Sequence, residues 1–417
     1  MKNDSVIYII GAGISGLIAA YELERAGFSP IILESTDRVG GRVRTDEFKG
    51  FLLDRGFQVL LTAYPEAQRY LDYGALNLKL FKPGAIILKP GNSFPIHDPL
   101  RNPLKLFNMV FSSVGTLLDK IKIFSLTKSL EKKSVEDIFA EPSQTTYRFL
   151  KDYGFSDQIM DNFFKPFFRG IFLENELDTS SRMFKFVFKM FSLGHAAVPE
   201  KGMQQIAEQL KSKLTKSQLV LNSPVKKIEG TTLTLSSGGE IQADRVIVAT
   251  RPDRLIPQMS GQFKPWRKVI NIYYSISHSF IAQPMIGLVT DQHFLINNLV
   301  FMTDVSKAYS QNERALLSVS ITKPVENQDK LEKLVAIELE ALTGIKTEYF
   351  EHIKTYVIEQ ALPQVEDLSD NLSPTHTKAI DGVFLAGDYL LNGSINAAMT
   401  AGRKAAEAVI LSLQPTY

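Results

Sequence analysis

Cysteine is absent from this chain. That removes disulfides, thiolate metal ligands, a CxxC redox pair and a cysteine-tethered cofactor together. Histidine is scarce, with six scattered copies, and no metal site is expected. Charge of one sign is lacking too. The balance is +2 over 417 residues, so no overall field argues for nucleic acid and none is expected as a partner. No apolar run reaches the roughly 18 residues a membrane-spanning helix needs. The opening residues, MKND, lead straight into an apolar strand with no h-region or cleavage site, so no leader is expected and the location reads as cytoplasmic. Neither an internal repeat nor a low-complexity stretch is present.

What is there begins with Val6–Ile10, a continuous apolar run suited to a strand buried on both faces of a parallel sheet. It runs into Gly11-Ala12-Gly13-Ile14-Ser15-Gly16, then a helix pattern ending at Gly27, then a second apolar strand, Pro30–Leu33, closed by Glu34 and Ser35. Each part has a mechanical task in holding a dinucleotide. Gly11 makes the tight turn, Gly13 admits a pyrophosphate to the backbone, and Gly16 lets the helix pack on the strand. The helix start offers N–H groups and a positive dipole end to the phosphates. Glu34 accepts from ribose hydroxyls.

Directly after comes Asp37–Thr45, DRVGGRVRT, in which Gly40, Gly41 and Arg42 form a second backbone approach with a cation beside it. NAD enzymes usually lack this element, and FAD is the expected cofactor; a hairpin with solvated arginines is the alternative. Near the other end, Val383–Ala386 reads as a strand stopping at Gly387-Asp388, with a helix opening at Ser394, Ile395 and Ala398. Asp388 would face ribityl hydroxyls, and the helix start would aim N–H donors at an anion in front of it. An ordinary strand–turn–helix with a buried Asp cap is the other reading. Between the ends, Asn222–Ile228 leads into a hairpin, and Val246–Thr250 reads as a third strand of the same sheet.

Taken in order, GAGISGL, LES, GGRVRT, DRGF, VIVAT and FLAGD…SINAAMTAGRKAAE resemble the flavin amine oxidase superfamily. Phe163–Phe172 and Gly194–Met203 resemble its carotene-desaturase and protoporphyrinogen-oxidase branch. The resemblance implies an α/β fold, with a Rossmann-type FAD-binding domain (1–75, 196–255 and 356–417) and an inserted α+β substrate domain (76–195, helical, and 256–355, a mixed sheet). It implies FAD contacts at Gly11, Gly13, Ser15, Gly16, Glu34, Gly41, Arg42, Val225, Ala249, Asp388 and Ile395. Ile14, Ser35, Gly56, Phe57, Thr250, Gly387, Ser394 and Ala398 stand beside them as candidate contacts. One departure concerns the best-known amine oxidases, which carry an aromatic cage and a flavin-linking Cys. Here Cys is absent, so non-covalent FAD is expected, and Tyr389 is the one obvious aromatic near that motif.

A second glycine-rich fingerprint for NAD(P)H is missing, so electrons are expected from the substrate itself. No Ser–His–Asp set and no HExxH appears, and no catalytic side chain can be named. Phe163, Phe164, Phe167, Phe168, Phe172, Phe184, Phe186, Phe188 and Phe191 point to an apolar tunnel. The expected activity is dehydrogenation of a hydrophobic isoprenoid- or porphyrinogen-like molecule by hydride transfer to the flavin. The alternatives are a peroxide-producing amine oxidase, a redox-neutral isomerase, and a non-catalytic flavin-bound interaction protein.

Two stretches read as basic and amphipathic. Arg101–Lys133 carries Arg101, Lys105, Lys120, Lys122, Lys128, Lys132 and Lys133 against Asp119 and Glu131. Its apolar side would hold Leu104, Phe107, Val110, Phe111, Val114, Leu117, Leu118 and Ile121. Arg182–Phe191 shows a stripe of Arg182, Lys185 and Lys189. Such helices suit a membrane interface; alternatively a large domain buries the apolar side and leaves the charges outside.

Overall fold

A computed structural model describes residues 5–97, 114–325 and 328–414. The first sheet runs in the order Gln218–Val220, Ile31–Leu33, Ile7–Ile10, Arg245–Val248, Val383–Leu385, Lys378–Ile380. The first five strands are parallel and the last is antiparallel. Register aligns Ile9 with Ile32 on one side and Ile247 on the other. The strands Ile31–Leu33, Ile7–Ile10 and Val383–Leu385 are apolar throughout because both faces are covered. Ile7 and Ile9 pack with Leu17 and Val409. Ile10 and Val248 pack on the other face against Ile228 and Leu233 of a small antiparallel layer. The fingerprint helix is Ile14–Arg25, and the C-terminal helix, Ile395–Ser412, packs along it.

The second sheet has seven strands, ordered Glu351–Leu362, Arg267–Ile276, Ala315–Ile321, Asn298–Phe301, Ile286–Val289, Gly84–Lys89, Asn92–His97. It is mixed: Ile286–Val289 and Gly84–Lys89 run parallel, and the other neighbours antiparallel. Alternation decides its two faces. Ile270, Ile272 and Tyr274 pack under the helix Leu331–Thr343. Val269, one residue out of phase, faces a large cavity instead. Two features depart from the sequence reading. The segment read as wholly helical supplies two strands of this sheet, and Glu351–Leu362 runs past the boundary expected at residue 355.

Three helices form the far wall of that cavity, Leu117–Lys132, Lys165–Phe172 and Ser181–Leu193. The phenylalanines divide between two tasks. Phe164, Phe168, Phe184 and Phe186 are fully buried core, with Phe168 and Phe184 ring centroids 4.7 Å apart. Phe163, Phe167, Phe188 and Phe191 line the cavity.

The amphipathic expectations need correcting. Arg101, Leu104, Lys105, Phe107, Val110 and Phe111 lie outside the described residues. In the helix Leu117–Lys132 the apolar side faces solvent, with Leu117, Leu118, Ile121 and Phe124 all more than half exposed. Lys120, counted above with the outer charges, is buried and faces the cavity. The stripe on Ser181–Leu193 is no solvent face either. Lys185 pairs with Glu141, and Lys189 Nζ donates to the carbonyls of Leu130 and Glu131 at 2.8 and 3.0 Å. Those are the last carbonyls of Leu117–Lys132, where a cation also meets the negative dipole end. Among the described residues no helix is long and apolar enough to cross a membrane.

Candidate active site

The site starts at the Gly11–Gly16 loop. Gly11 sits at φ +103°, a left-handed value that favours glycine, and its N–H donates to Leu33 O at 2.8 Å. Gly13 caps the fingerprint helix, and a Cβ built there meets no protein atom within 4 Å. The space in front of it belongs to the cavity. Gly16 differs: a Cβ there would collide with Gly11 O and press on Ala249. It serves helix packing and, alone among the candidate contacts named from sequence, does not line the cavity.

Glu34, 6% exposed, holds the loop in shape. Its Oε2 accepts from Ala12 N at 2.7 Å, and its Oε1 accepts from Thr36 N and Oγ1 at 2.9 and 2.8 Å. Ser35 Oγ adds a long bond to Oε1 at 3.3 Å, whereas Oε2 accepts from Ala12 N alone and so keeps a lone pair for a ribose hydroxyl. The second glycine loop leans on the first, with Gly13 and Gly40 bridged and Gly41 against Gly13 Cα.

One cavity of about 1720 Å³ collects these pieces. Gly11, Gly13, Ile14, Ser15, Glu34, Ser35, Gly41, Arg42, Gly56, Phe57, Val225, Ala249, Thr250, Gly387, Asp388, Ser394, Ile395 and Ala398 all line it. Arg42 and Asp388, expected at separate parts of a cofactor, grip each other: Nη1 to Oδ2 at 2.9 Å and Nη2 to Oδ1 at 2.5 Å. That two-pronged geometry is the strong form of the guanidinium–carboxylate pair. The Arg42 guanidinium also lies 4.7 Å from the ring centre of Trp266, and Arg251 is 5.8 Å from the same ring. Neither Trp266 nor Arg251 sits in a motif, and the signal available in sequence was only that Trp266 is the sole tryptophan.

The residues fit a flavin dinucleotide. Gly13 leaves the cradle a Cβ would fill. Ser394 Oγ caps the C-terminal helix by accepting from Ala397 N at 3.0 Å, which leaves the first-turn N–H groups facing the cavity at Ile395. Tyr389, also in the lining, has a buried hydroxyl without a protein partner. The volume exceeds the roughly 300–1,000 Å³ of an ordinary ligand pocket, enough for a cofactor and a second molecule. Among the described residues no three of His, Cys, Asp and Glu gather as a metal site. Because no thiol is available for a tether, acid precipitation of the yellow protein is expected to leave all flavin in the supernatant. Colour retained in the washed pellet would contradict this.

Comparison with known proteins agrees with this geometry. Protoporphyrinogen oxidase 2 of Arabidopsis thaliana is 32% identical over 170 residues, which make up 39% of this chain and 32% of that protein. The matched part is therefore about a third of the plant enzyme's length. The 15-cis-phytoene desaturase of the same plant is 23% identical, covering 97% of this chain and 80% of its own. In three dimensions, an oxidoreductase from Methanosarcina mazei superposes with TM-score 0.74 at 17% identity, covering 96% and 99% of the two chains. A putative protoporphyrinogen oxidase from Exiguobacterium sp. 255-15 superposes at 0.70 and 19%, covering 99% and 100%. The family model of flavin containing amine oxidoreductases matches residues 14–410. With the dinucleotide cradle in place and the match running nearly end to end, the chain belongs to that family and is an FAD-dependent oxidoreductase.

Proposed function

We propose that the protein dehydrogenates a long, apolar substrate held between the flavin cradle and the helical wall. The observation that carries this is the continuity of the cavity. One space joins the glycine loops to Phe163, Phe167, Phe188 and Phe191. The similarity to phytoene desaturase and protoporphyrinogen oxidase supports the same reading. FAD, when bound, supplies the two-electron acceptor for a hydride. The chain's own part is to orient the substrate by apolar contact and to keep water from the reacting carbon. An amine substrate fits less well. The wall made by Leu117–Lys132 and the Met160–Phe172 segment carries Lys120 and no carboxylate, and like charge there opposes a cationic diamine.

The test is anaerobic mixing of the flavin-loaded protein with phytoene in detergent micelles, against putrescine in buffer. Bleaching of the flavin band by phytoene and not by putrescine is expected. Bleaching by putrescine alone, with peroxide formed on admitting air, would overturn the reading in favour of an amine oxidase. Isomerised phytoene appearing only after prior flavin reduction would move it to a redox-neutral isomerase.

We further propose that the helix Leu117–Lys132 rests on an anionic lipid surface, from which such a substrate enters. Its outer side offers Leu117, Leu118, Ile121 and Phe124, with Lys128 and Lys132 exposed farther along, while its inner side, through Ile123 and Thr127, lines the cavity. Fully burying such a side chain is worth about 1.5–3 kcal/mol, and a basic residue at an anionic surface about 1 kcal/mol. Co-sedimentation with phosphatidylserine liposomes is therefore expected, weakening with salt as exposed charges are screened. Leu118→Asp with Ile121→Asp should lower it more than tenfold. Equal sedimentation of this variant and wild type would remove the proposal.

A further inference from the structure

The described core contains three buried lysines, Lys120, Lys185 and Lys189. Two are provided for. Lys185 has Glu141, and Lys189 has two helix-terminal carbonyls. Lys120 is 6% exposed, lines the cavity, and has no hydrogen-bond or ion-pair partner for its ammonium among the described residues. Its sequence neighbour Asp119 is fully engaged elsewhere. One oxygen of that carboxylate accepts from Thr116 N and Thr116 Oγ1, both at 2.8 Å, and from Ser156 Oγ at 2.6 Å. The other accepts from Ser156 N at 2.9 Å. These bonds close the cap of the helix and fix the direction in which Lys120 leaves it.

We infer that Lys120 is an anchor for an acidic end group: of two apolar molecules of like length, the cavity holds the one ending in a carboxylate more tightly. An ammonium without a counter-charge is left unpaired until an anion arrives, and the bond that then forms inside the cavity is charge-assisted. Burial holds the Lys120 amine below its ordinary pKa, with only partial compensation from Asp119, as befits a cation whose partner is still to come. The lining elsewhere carries charges of both signs, and at this wall the number of charges selects the end group. From the helix Leu117–Lys132 and the Met160–Phe172 segment the lining includes Ile123, Thr127, Phe163, Phe167 and Ile171, and Lys120 is the one charged side chain. One cation matches a carboxylate; a phosphate or diphosphate would bring charge left unmatched.

This assignment rests on the apolar-substrate reading above, and the experiment separates the two. Equilibrium dialysis of flavin-loaded protein measures affinity for palmitate, methyl palmitate and hexadecyl phosphate, with no turnover required. Wild type should prefer palmitate to its methyl ester by on the order of 10- to 100-fold, the range for a hydrogen bond to a charged group. Lys120→Met should bind both alike, at the wild-type affinity for the ester, and Lys120→Arg should keep the preference, with flavin content unchanged in each. If wild type binds acid and ester equally, or Lys120→Met keeps the preference, the anchor is wrong while the apolar reading stands. Hexadecyl phosphate binding more tightly than palmitate would overturn the carboxylate assignment. Binding of none of the three would remove the apolar reading itself and the anchor with it.

Discussion

Asp54→Ala is expected to destabilise the protein by roughly 4 kcal/mol, near the upper end for a single substitution. The residue is 1% exposed at the end of the strand Phe51–Asp54. Its carboxyl accepts from Thr45 Oγ1 at 2.5 Å, Tyr309 OH at 2.6 Å and Met203 N at 2.9 Å. Its backbone carbonyl accepts from Tyr273 OH at 2.9 Å. Both tyrosines are fully buried. They belong to the substrate-side sheet and the loop beside it, whereas Thr45 follows the second glycine loop, so the carboxyl ties the flavin cradle to the wall facing it. Truncation leaves three buried donors without an acceptor, each costing about 1–3 kcal/mol. A urea midpoint within experimental error of wild type would refute the account.

The same group gives the protein a pH signature. Burial pushes the Asp54 carboxyl above its ordinary 3.8, against the pull of its three hydrogen bonds. An acid whose pKa is higher folded than unfolded holds its proton more tightly in the fold. Its contribution is therefore complete below 3.8 and declines as pH rises through the folded value. Asp54→Asn cannot titrate and lacks that slope. The stability advantage of wild type over this variant should be largest in acid, shrink through that window, and then stay level. An advantage that grows with pH would mean hydrogen bonding outweighs burial.

Asp54 also marks where sequence reading stops. DRGF is one of the motifs that carry the family resemblance, and Arg55, Gly56 and Phe57 do line the cavity, but Asp54 turns the other way into the core. The Rossmann elements were legible because a strand covered on both faces must be apolar throughout, and because glycine and acid spacings answer to a ligand of fixed shape. The strand Ala315–Ile321 falls within the mixed sheet expected over 256–355. Gly84–Lys89 was missed because nothing local distinguishes a short apolar run before a helical region from part of that region. Lys120 was misread for a deeper cause. Periodicity shows that a helix has two sides without saying which side meets solvent. Here the rows Leu117, Leu118 and Ile121 face outward, and the side carrying Lys120 and Thr127 faces a cavity, the reverse of an ordinary surface helix. Trp266 under Arg42 is a contact between distant segments, invisible to any local pattern.

Gly13→Val and Gly402→Ala are both expected to yield colourless protein, for opposite reasons that stability measurements separate. A Cβ at Gly13 meets nothing in the protein, and Gly13 keeps φ −73° and ψ 179°, values valine adopts readily. The apoprotein should fold with an unchanged urea midpoint, while the valine methyl groups occupy the space a pyrophosphate needs. Gly402 lies within the C-terminal helix, where a Cβ would drive into the Ser15 carbonyl and crowd its Cα. The contact is backbone to backbone, so no side chain can rotate away. The C-terminal helix must move off the fingerprint helix, at a cost on the order of 3 kcal/mol or more. That displacement shifts Ile395 and Ala398 relative to Ser15, all of which line the flavin end of the cavity. Flavin is thus lost together with stability, and excess FAD should restore part of the colour as binding pulls the helices back together. For Gly13→Val no concentration of FAD should restore it, because the obstruction stands in the site itself. If Gly402→Ala keeps both its flavin and its midpoint, the close approach of the two helices is not what holds the cradle in shape.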